Sequence, residues 1–212
     1  MSILEEISGA LQRGKRKEVT QLVSQALDEG VSASAILEEG LLAGMSVIGG
    51  KFKNNEVFVP EVLVAARCMN AGSALLKNAL AQEGAQSLGT CILGTVKGDL
   101  HDIGKNIVRM MVEGKGITVI DLGVDVESEK FVEAAKENNV KLILASALLT
   151  TTMPALKDVI EKFEAAGMRD QVKIMVGGAP VTQSFADSIG ADAYTPDAAS
   201  CAEKAAEIIK SL

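Results

Sequence analysis

The pattern that most constrains this chain is a change of period near residue 87. Beyond it, short continuous apolar runs alternate with helical stretches. The runs are TCILGTV (90–96), ITVIDLG (117–123), KLILASAL (141–148), VKIMVGG (172–178) and the weaker ADAYT (191–195). Helical periodicity follows each one, over 102–113, 128–138, 153–166, 180–189 and 198–212. Apolar strands without polar alternation belong to a parallel sheet covered on both faces. Right-handed crossovers then close five β-α units into a doubly wound α/β sheet.

Residues 1–86 read differently, as helices only. Ser2 and Glu5 have the spacing of a capping box, with Leu4, Ile7 and Leu11 behind it. Val19, Leu22, Val23, Ala26 and Leu27 form a second stripe, stopped by Gly30. Leu37, Leu41, Met45, Ile48 and Phe52 form a third, and GGKFKNNEVF (49–58) should break that helix. Pro60 suits the first turn of a fourth, whose stripe runs through Leu63, Ala66, Met69 and Leu76. Four such helices make a small bundle. The polar stretch AQEGAQSLG (81–89) reads as a linker. The expected division is therefore a helical domain over 1–86 and an α/β domain over 87–212.

A net charge of −7 argues against a nucleic-acid partner, which needs clustered Lys and Arg against phosphates. The one basic run, RGKRK (13–17), reads as a solvated turn. No signal peptide and no apolar stretch of about 18 residues is expected, so neither is a membrane partner, and the expected location is the cytoplasm. Cys68, Cys91 and Cys201 lie far apart, with no zinc-type spacing and no disulfide framework.

Open α/β sheets bind ligands beyond the carboxyl ends of their strands. Those ends carry GTVKGDLHDIG (94–104), SALLTTT (146–152) and VGGAPVT (176–182). His101 is the only histidine in 212 residues. Asp99, two positions earlier, is close enough to bind one imidazole nitrogen, fix the tautomer and strengthen the other nitrogen as a metal ligand. One histidine does not hold zinc unaided, but it can serve as an axial ligand to a metal already held by a macrocycle. Gly104 would admit a bulky planar ligand at the start of the following helix. Plainer readings stand beside these: a surface histidine, Asp102 as a helix cap, Thr150–Thr152 as a capping cluster and Gly177-Gly178 as a tight turn.

Taken together, these residues resemble the cobalamin-binding module of corrinoid proteins, whose pattern is D-x-H-x-x-G, then S-x-L, then G-G. Here the elements are Asp99, His101 and Gly104; Ser146 and Leu148; and Gly177 and Gly178. The turn FVPE (58–61) followed by AARCM (65–69) resembles the helical cap of the methyl-carrying branch. The resemblance implies a flavodoxin-like (Rossmann-like) domain that binds cobalamin base-off, with His101 as the cobalt ligand. It implies cofactor contacts at Gly98, Asp99, Leu100, Asp102, Ile103 and Gly104. Further contacts are implied at Ser146, Leu148, Thr150, Thr152, Gly177, Gly178 and Ala179, with Phe58 near the methyl group. Thr152 stands where the family often has serine. The resemblance further implies a methyl carrier that is not catalytic alone, serving methanol, methylamine or aryl-ether demethylation. Its implied partners are a substrate-specific methyltransferase, a methyl-acceptor methyltransferase and a reductive activase, with 81–89 as a hinge. The small subunit of a cobalamin-dependent mutase shares the module but typically lacks such a cap.

Overall fold

The computed structural model describes residues 2–83 and 87–212. Two compact units divide the chain: one runs to Ser87 and includes Glu113–Gly116, and the other takes in Leu88–Val112 and Ile117–Leu212.

The first unit is built from α1 (Ile3–Gln12), α2 (Arg16–Asp28), α3 (Ala33–Lys53) and α4 (Val59–Glu83). Both halves of the expected capping box form, Ser2 Oγ accepting from Glu5 N–H and Glu5 Oε2 from Ser2 N–H. α3 holds a π-helical segment over Ile36–Leu42, and from there on its buried residues are Ile36, Gly40, Leu41, Gly44, Met45 and Ile48. The extra residue in that turn rotates the apolar face, so Ile36 rather than Leu37 enters the core. In α4 the inward residue is likewise Val62 rather than Leu63.

Two helix ends differ from the sequence expectation. Gly49 and Gly50 stay inside α3, which stops only at Asn54. Asn55 takes the left-handed conformation (φ 60°) and Glu56 N–H reaches back to the Lys51 carbonyl, a Schellman-type end. α4 runs on through Glu83 into the expected linker, because Ala-Gln-Glu continues a helix well. The Glu83 carboxylate there accepts from Ala33 N–H, Ser34 N–H and Ser34 Oγ. Ser87 and Leu88 have no regular structure, the first strand begins at Gly89, and 84–86 lie outside the described residues. By length and composition α3 is also apolar enough to cross a membrane, contrary to the expectation of no such stretch. Its apolar residues Ile36, Leu41, Met45 and Ile48 are buried in the bundle core, as in a core helix.

The second unit contains β1 (Gly89–Thr95), α5 (Ile103–Glu113), β2 (Ile117–Asp121), α6 (Ser128–Asn138) and β3 (Leu142–Ser146). It continues with α7 (Met153–Ala165), β4 (Lys173–Gly177), α8 (Gln183–Ser188), β5 (Ala193–Tyr194) and α9 (Ala198–Ser211). α8 starts three residues later than its apolar pattern suggests, because the Thr182 hydroxyl caps it by accepting from Phe185 N–H. The strands form one parallel sheet in the order β2-β1-β3-β4-β5. This is the flavodoxin-like winding, with helices over both faces. Ile92, Ile143 and Ile174 from its strands meet Phe131, Leu156 and Phe163 from its helices in one core, each contributing about 1.5–3 kcal/mol by burial.

The chain reverses its winding between β1 and β3, and a crevice opens at their carboxyl ends. Register places Thr95 beside Ser146 and Ser146 beside Gly177. The last residues of three adjacent strands thus form one row at the sheet edge.

Candidate functional site

Asp99 lies in the loop after β1 and is fully buried. Its Oδ1 accepts from His101 N–H (3.0 Å) and lies 2.9 Å from His101 Nδ1. Its Oδ2 accepts from Leu148 N–H (2.7 Å), Leu149 N–H (3.3 Å) and Thr152 Oγ1 (2.8 Å). Burial alone would raise the carboxyl's pKa, but the N–H groups of Leu148 and His101, the Thr152 hydroxyl and the imidazole hold it well below the usual carboxylate range. An ionised carboxylate only accepts, so Nδ1 carries a proton, and in the neutral imidazole that tautomer leaves the lone pair on Nε2. The His101 side chain is 51% exposed.

The loops after β1 and β3 also expose large apolar side chains. Leu100 is 72% exposed and Ile103 70% exposed, with Leu148 and Leu149 exposed at the facing loop. Solvent-facing leucines and isoleucines in one place mark a surface meant to be covered. A Cβ built on Gly104 would meet no protein atom, and one on Gly177 only the Thr195 carbonyl at 3.9 Å. The protein's own packing therefore requires neither glycine. Gly178 differs: its φ is +129°, and a Cβ there would collide with the Ala147 carbonyl. That glycine lets the loop after β4 pass against the loop after β3.

The remaining expected residues fall as follows. Gly98 (φ +80°) donates its N–H to the Asp125 carboxylate at 2.7 Å. Asp102 precedes α5, and its Oδ2 accepts from Asn106 Nδ2 at 3.3 Å. Thr150 and Ala179 are exposed in the loops after β3 and β4. Thr152 is buried, bonded to Asp99 and to the Leu149 carbonyl at 2.9 Å, and does not cap α7 through its side chain. Phe58 is exposed at the head of α4 in the first unit, where Glu61 Oε2 accepts its N–H.

Three participants were not anticipated: Leu149 and Asp125, which bond the loop after β1, and Thr95. The Thr95 hydroxyl lies 3.0 Å from the His101 carbonyl oxygen and 3.0 Å from Ser146 Oγ. A threonine at the carboxyl end of a largely apolar strand was the available signal.

The B12 binding domain pattern matches residues 89–204, and that of a second B12 binding domain matches residues 3–77. The chain belongs to the B12-binding family of corrinoid proteins. The dimethylamine corrinoid protein of Methanosarcina barkeri is 46% identical over 209 residues, covering 98% of this chain and 97% of that one. A structure of the methanol:cobalamin methyltransferase complex of Methanosarcina barkeri matches with TM-score 0.88 at 29% identity, covering 99% of this chain and 80% of that one. A cobalamin-binding protein from Desulfitobacterium hafniense matches with TM-score 0.80 at 29% identity, covering 96% and 97%.

The cofactor of this corrinoid protein is a corrinoid, and the residues present fit it. Among the described residues no cluster of three His, Cys, Asp or Glu could hold a metal ion. A cobalt already held in a macrocycle asks the protein for only one further donor. His101 Nε2 would be such a donor, in a loop that also carries the exposed Leu100 and Ile103, which suit a flat apolar ring, and Gly104, where a side chain would meet no protein atom.

Proposed function

We propose that this corrinoid protein carries methyl groups on a base-off corrinoid, with His101 Nε2 as the lower cobalt ligand, and is not a catalyst alone. One observation carries the reading. Asp99 fixes the His101 ring and backbone while the side chain stays half-exposed, leaving Nε2 as the free donor.

When bound, the corrinoid supplies a cobalt centre that takes up and releases a methyl group. The protein's residues do the rest. Asp99 holds the proton on Nδ1 and keeps Nε2 available. Thr152 and the Leu148 N–H hold Asp99 in place. Gly98, Leu100, Asp102, Ile103 and Gly104 would cover the ring around the ligand. The nucleotide tail would lie along Ser146, Leu148, Thr150, Gly177, Gly178 and Ala179. Relatives named for dimethylamine support a methylamine as donor class, and the likeness to a solved methanol:cobalamin methyltransferase complex supports a substrate-specific methyltransferase as first partner. A second methyltransferase would deliver the methyl group to tetrahydrofolate or a thiol, and a reductive activase would restore the cobalt. This exchange would take place in the cytoplasm.

The test is the visible spectrum of desalted, cobalamin-loaded protein beside His101→Ala. The expected result is one retained equivalent in the wild type and a shift toward a ligand-free lower face in the variant. Identical spectra would remove His101 from the cobalt, and no retention by either protein would end the carrier reading.

A further inference from the structure

We infer that Thr95 is a positioning residue whose buried hydroxyl braces the His101 loop through its backbone carbonyl and couples that brace to Ser146. The inference rests on the reading of His101 as the cobalt ligand.

Thr95 is the last residue of β1 and is 1% exposed. Its backbone is already committed: its N–H donates to the Gly123 carbonyl and its own carbonyl accepts from Val126 N–H, both at 3.0 Å. The backbone thus gives the hydroxyl no task. A buried strand position is served at least as well by valine, the same shape without a polar atom. The hydroxyl must therefore answer to its two neighbours, His101 O and Ser146 Oγ.

The proton count sets the direction of both bonds. A carbonyl oxygen only accepts, so the Thr95 proton goes to His101 O. Ser146 then donates to Thr95 Oγ1, since its other acceptor, the Gly94 carbonyl, is farther off at 3.5 Å. The chain runs Ser146 O–H to Thr95 O–H to His101 C=O. Together with the two bonds to Asp99, this engages the N–H, the C=O and the Nδ1–H of His101. Only Nε2 is left over. Two buried residues on one strand-loop segment, Asp99 and Thr95, grip the ligand residue from opposite ends of its backbone. Thr95 also carries to His101 the position of Ser146, whose strand adjoins β4 and its glycine pair.

The test uses the full chain with Thr95→Val, which removes only the hydroxyl, and Thr95→Ser, which keeps it. His101 is the chain's sole histidine, so imidazole signals in the NMR spectrum of the apoprotein belong to it alone. The Nδ1–H should exchange with water roughly five- to tenfold faster in Thr95→Val than in wild type, with Thr95→Ser close to wild type. In the loaded cobalt(II) form, nitrogen splitting in the electron paramagnetic resonance spectrum should weaken in Thr95→Val and return in Thr95→Ser. Unchanged exchange in Thr95→Val would overturn the brace. So would a serine variant as perturbed as the valine one, which would assign the effect to the lost methyl packing. Should Thr95→Val fail to fold, Thr95→Ala carries the same prediction against the same serine control. A wild type without nitrogen splitting would instead defeat the cobalt-ligand reading, while the apoprotein exchange still decides the brace.

Discussion

Asp99 and Thr152 stand 53 positions apart in the chain, yet their side chains meet at 2.8 Å where solvent does not reach either residue freely. This bond, with those from the Leu148 and Leu149 N–H groups, joins the loop after β1 to the loop after β3 across the switch point of the sheet.

Removing either partner should therefore loosen both loops. Thr152→Val deletes a charge-assisted hydrogen bond and should cost about 1.5–3 kcal/mol of apoprotein stability. Thr152→Ser keeps the hydroxyl and should stay within about 1 kcal/mol. Asp99→Asn turns an NH2 group toward donors and should cost about 3 kcal/mol. Urea unfolding of the apoproteins measures all three, and a wild-type midpoint for Asp99→Asn would refute the role given to its carboxylate.

Gly104→Ala should separate stability from binding. The added methyl meets no protein atom, and alanine favours a helix over glycine, so the apoprotein should gain about 0.5–1 kcal/mol. The same methyl stands where the corrinoid would approach α5, so cobalamin retained through gel filtration should fall. Full retention would show that this face of α5 is not covered by the cofactor.

The glycine pair after β4 should divide in the same way. Gly178→Ala forces a side chain into a positive-φ conformation and against the Ala147 carbonyl, and should cost about 3 kcal/mol or more. Gly177→Ala has room and should stay within about 1 kcal/mol of wild type while weakening cobalamin retention. Thermal unfolding of both apoproteins, beside retained cobalamin absorbance, checks the pair. Equal melting temperatures would contradict the steric account of Gly178.

A buried ion pair sets a pH dependence apart from the His101 cluster. Lys105 Nζ lies 2.7 and 2.6 Å from the two carboxylate oxygens of Asp121, with Lys105 buried. Burial pushes the Asp121 carboxyl up, but Lys105, the Gly123 N–H and Arg109 bring it below its ordinary value. A carboxyl lowered on folding contributes fully above its unfolded pKa of about 3.9, and the contribution shrinks as pH falls through the folded value. Lys105→Met should cost about 3 kcal/mol at neutral pH, because it leaves a partly buried carboxylate short of its partner. The stability gap between wild type and Asp121→Asn should close as pH drops below about 4. Urea midpoints across that range decide it, and a constant gap would exclude Asp121 as its source.

Much of the fold was legible because it follows from local pattern. Five apolar runs without polar alternation specify strands buried on both faces, and the stripes before residue 87 specify helices. Helix ends were less legible. Asn55 ended α3 where the glycines before it did not, and the π-helical turn at Ile36–Leu42 shifted a stripe that a strict 3.6 period misplaces. The site divides likewise. His101 beside Asp99 was readable because two residues of separation already allow the contact.

The sequence by itself determined which chemistry the chain carries: one histidine, a carboxylate within reach of it, and glycines at strand ends. Only the tertiary structure decided how that histidine is held. Placing β1 beside β3 brings Thr95 to Ser146, and Leu148, Leu149 and Thr152 to Asp99, across about fifty positions of chain. No local pattern encodes such bonds. They form because burying the apolar strands fixes the strand order, and the polar groups left at the strand ends must then find partners out of reach of water.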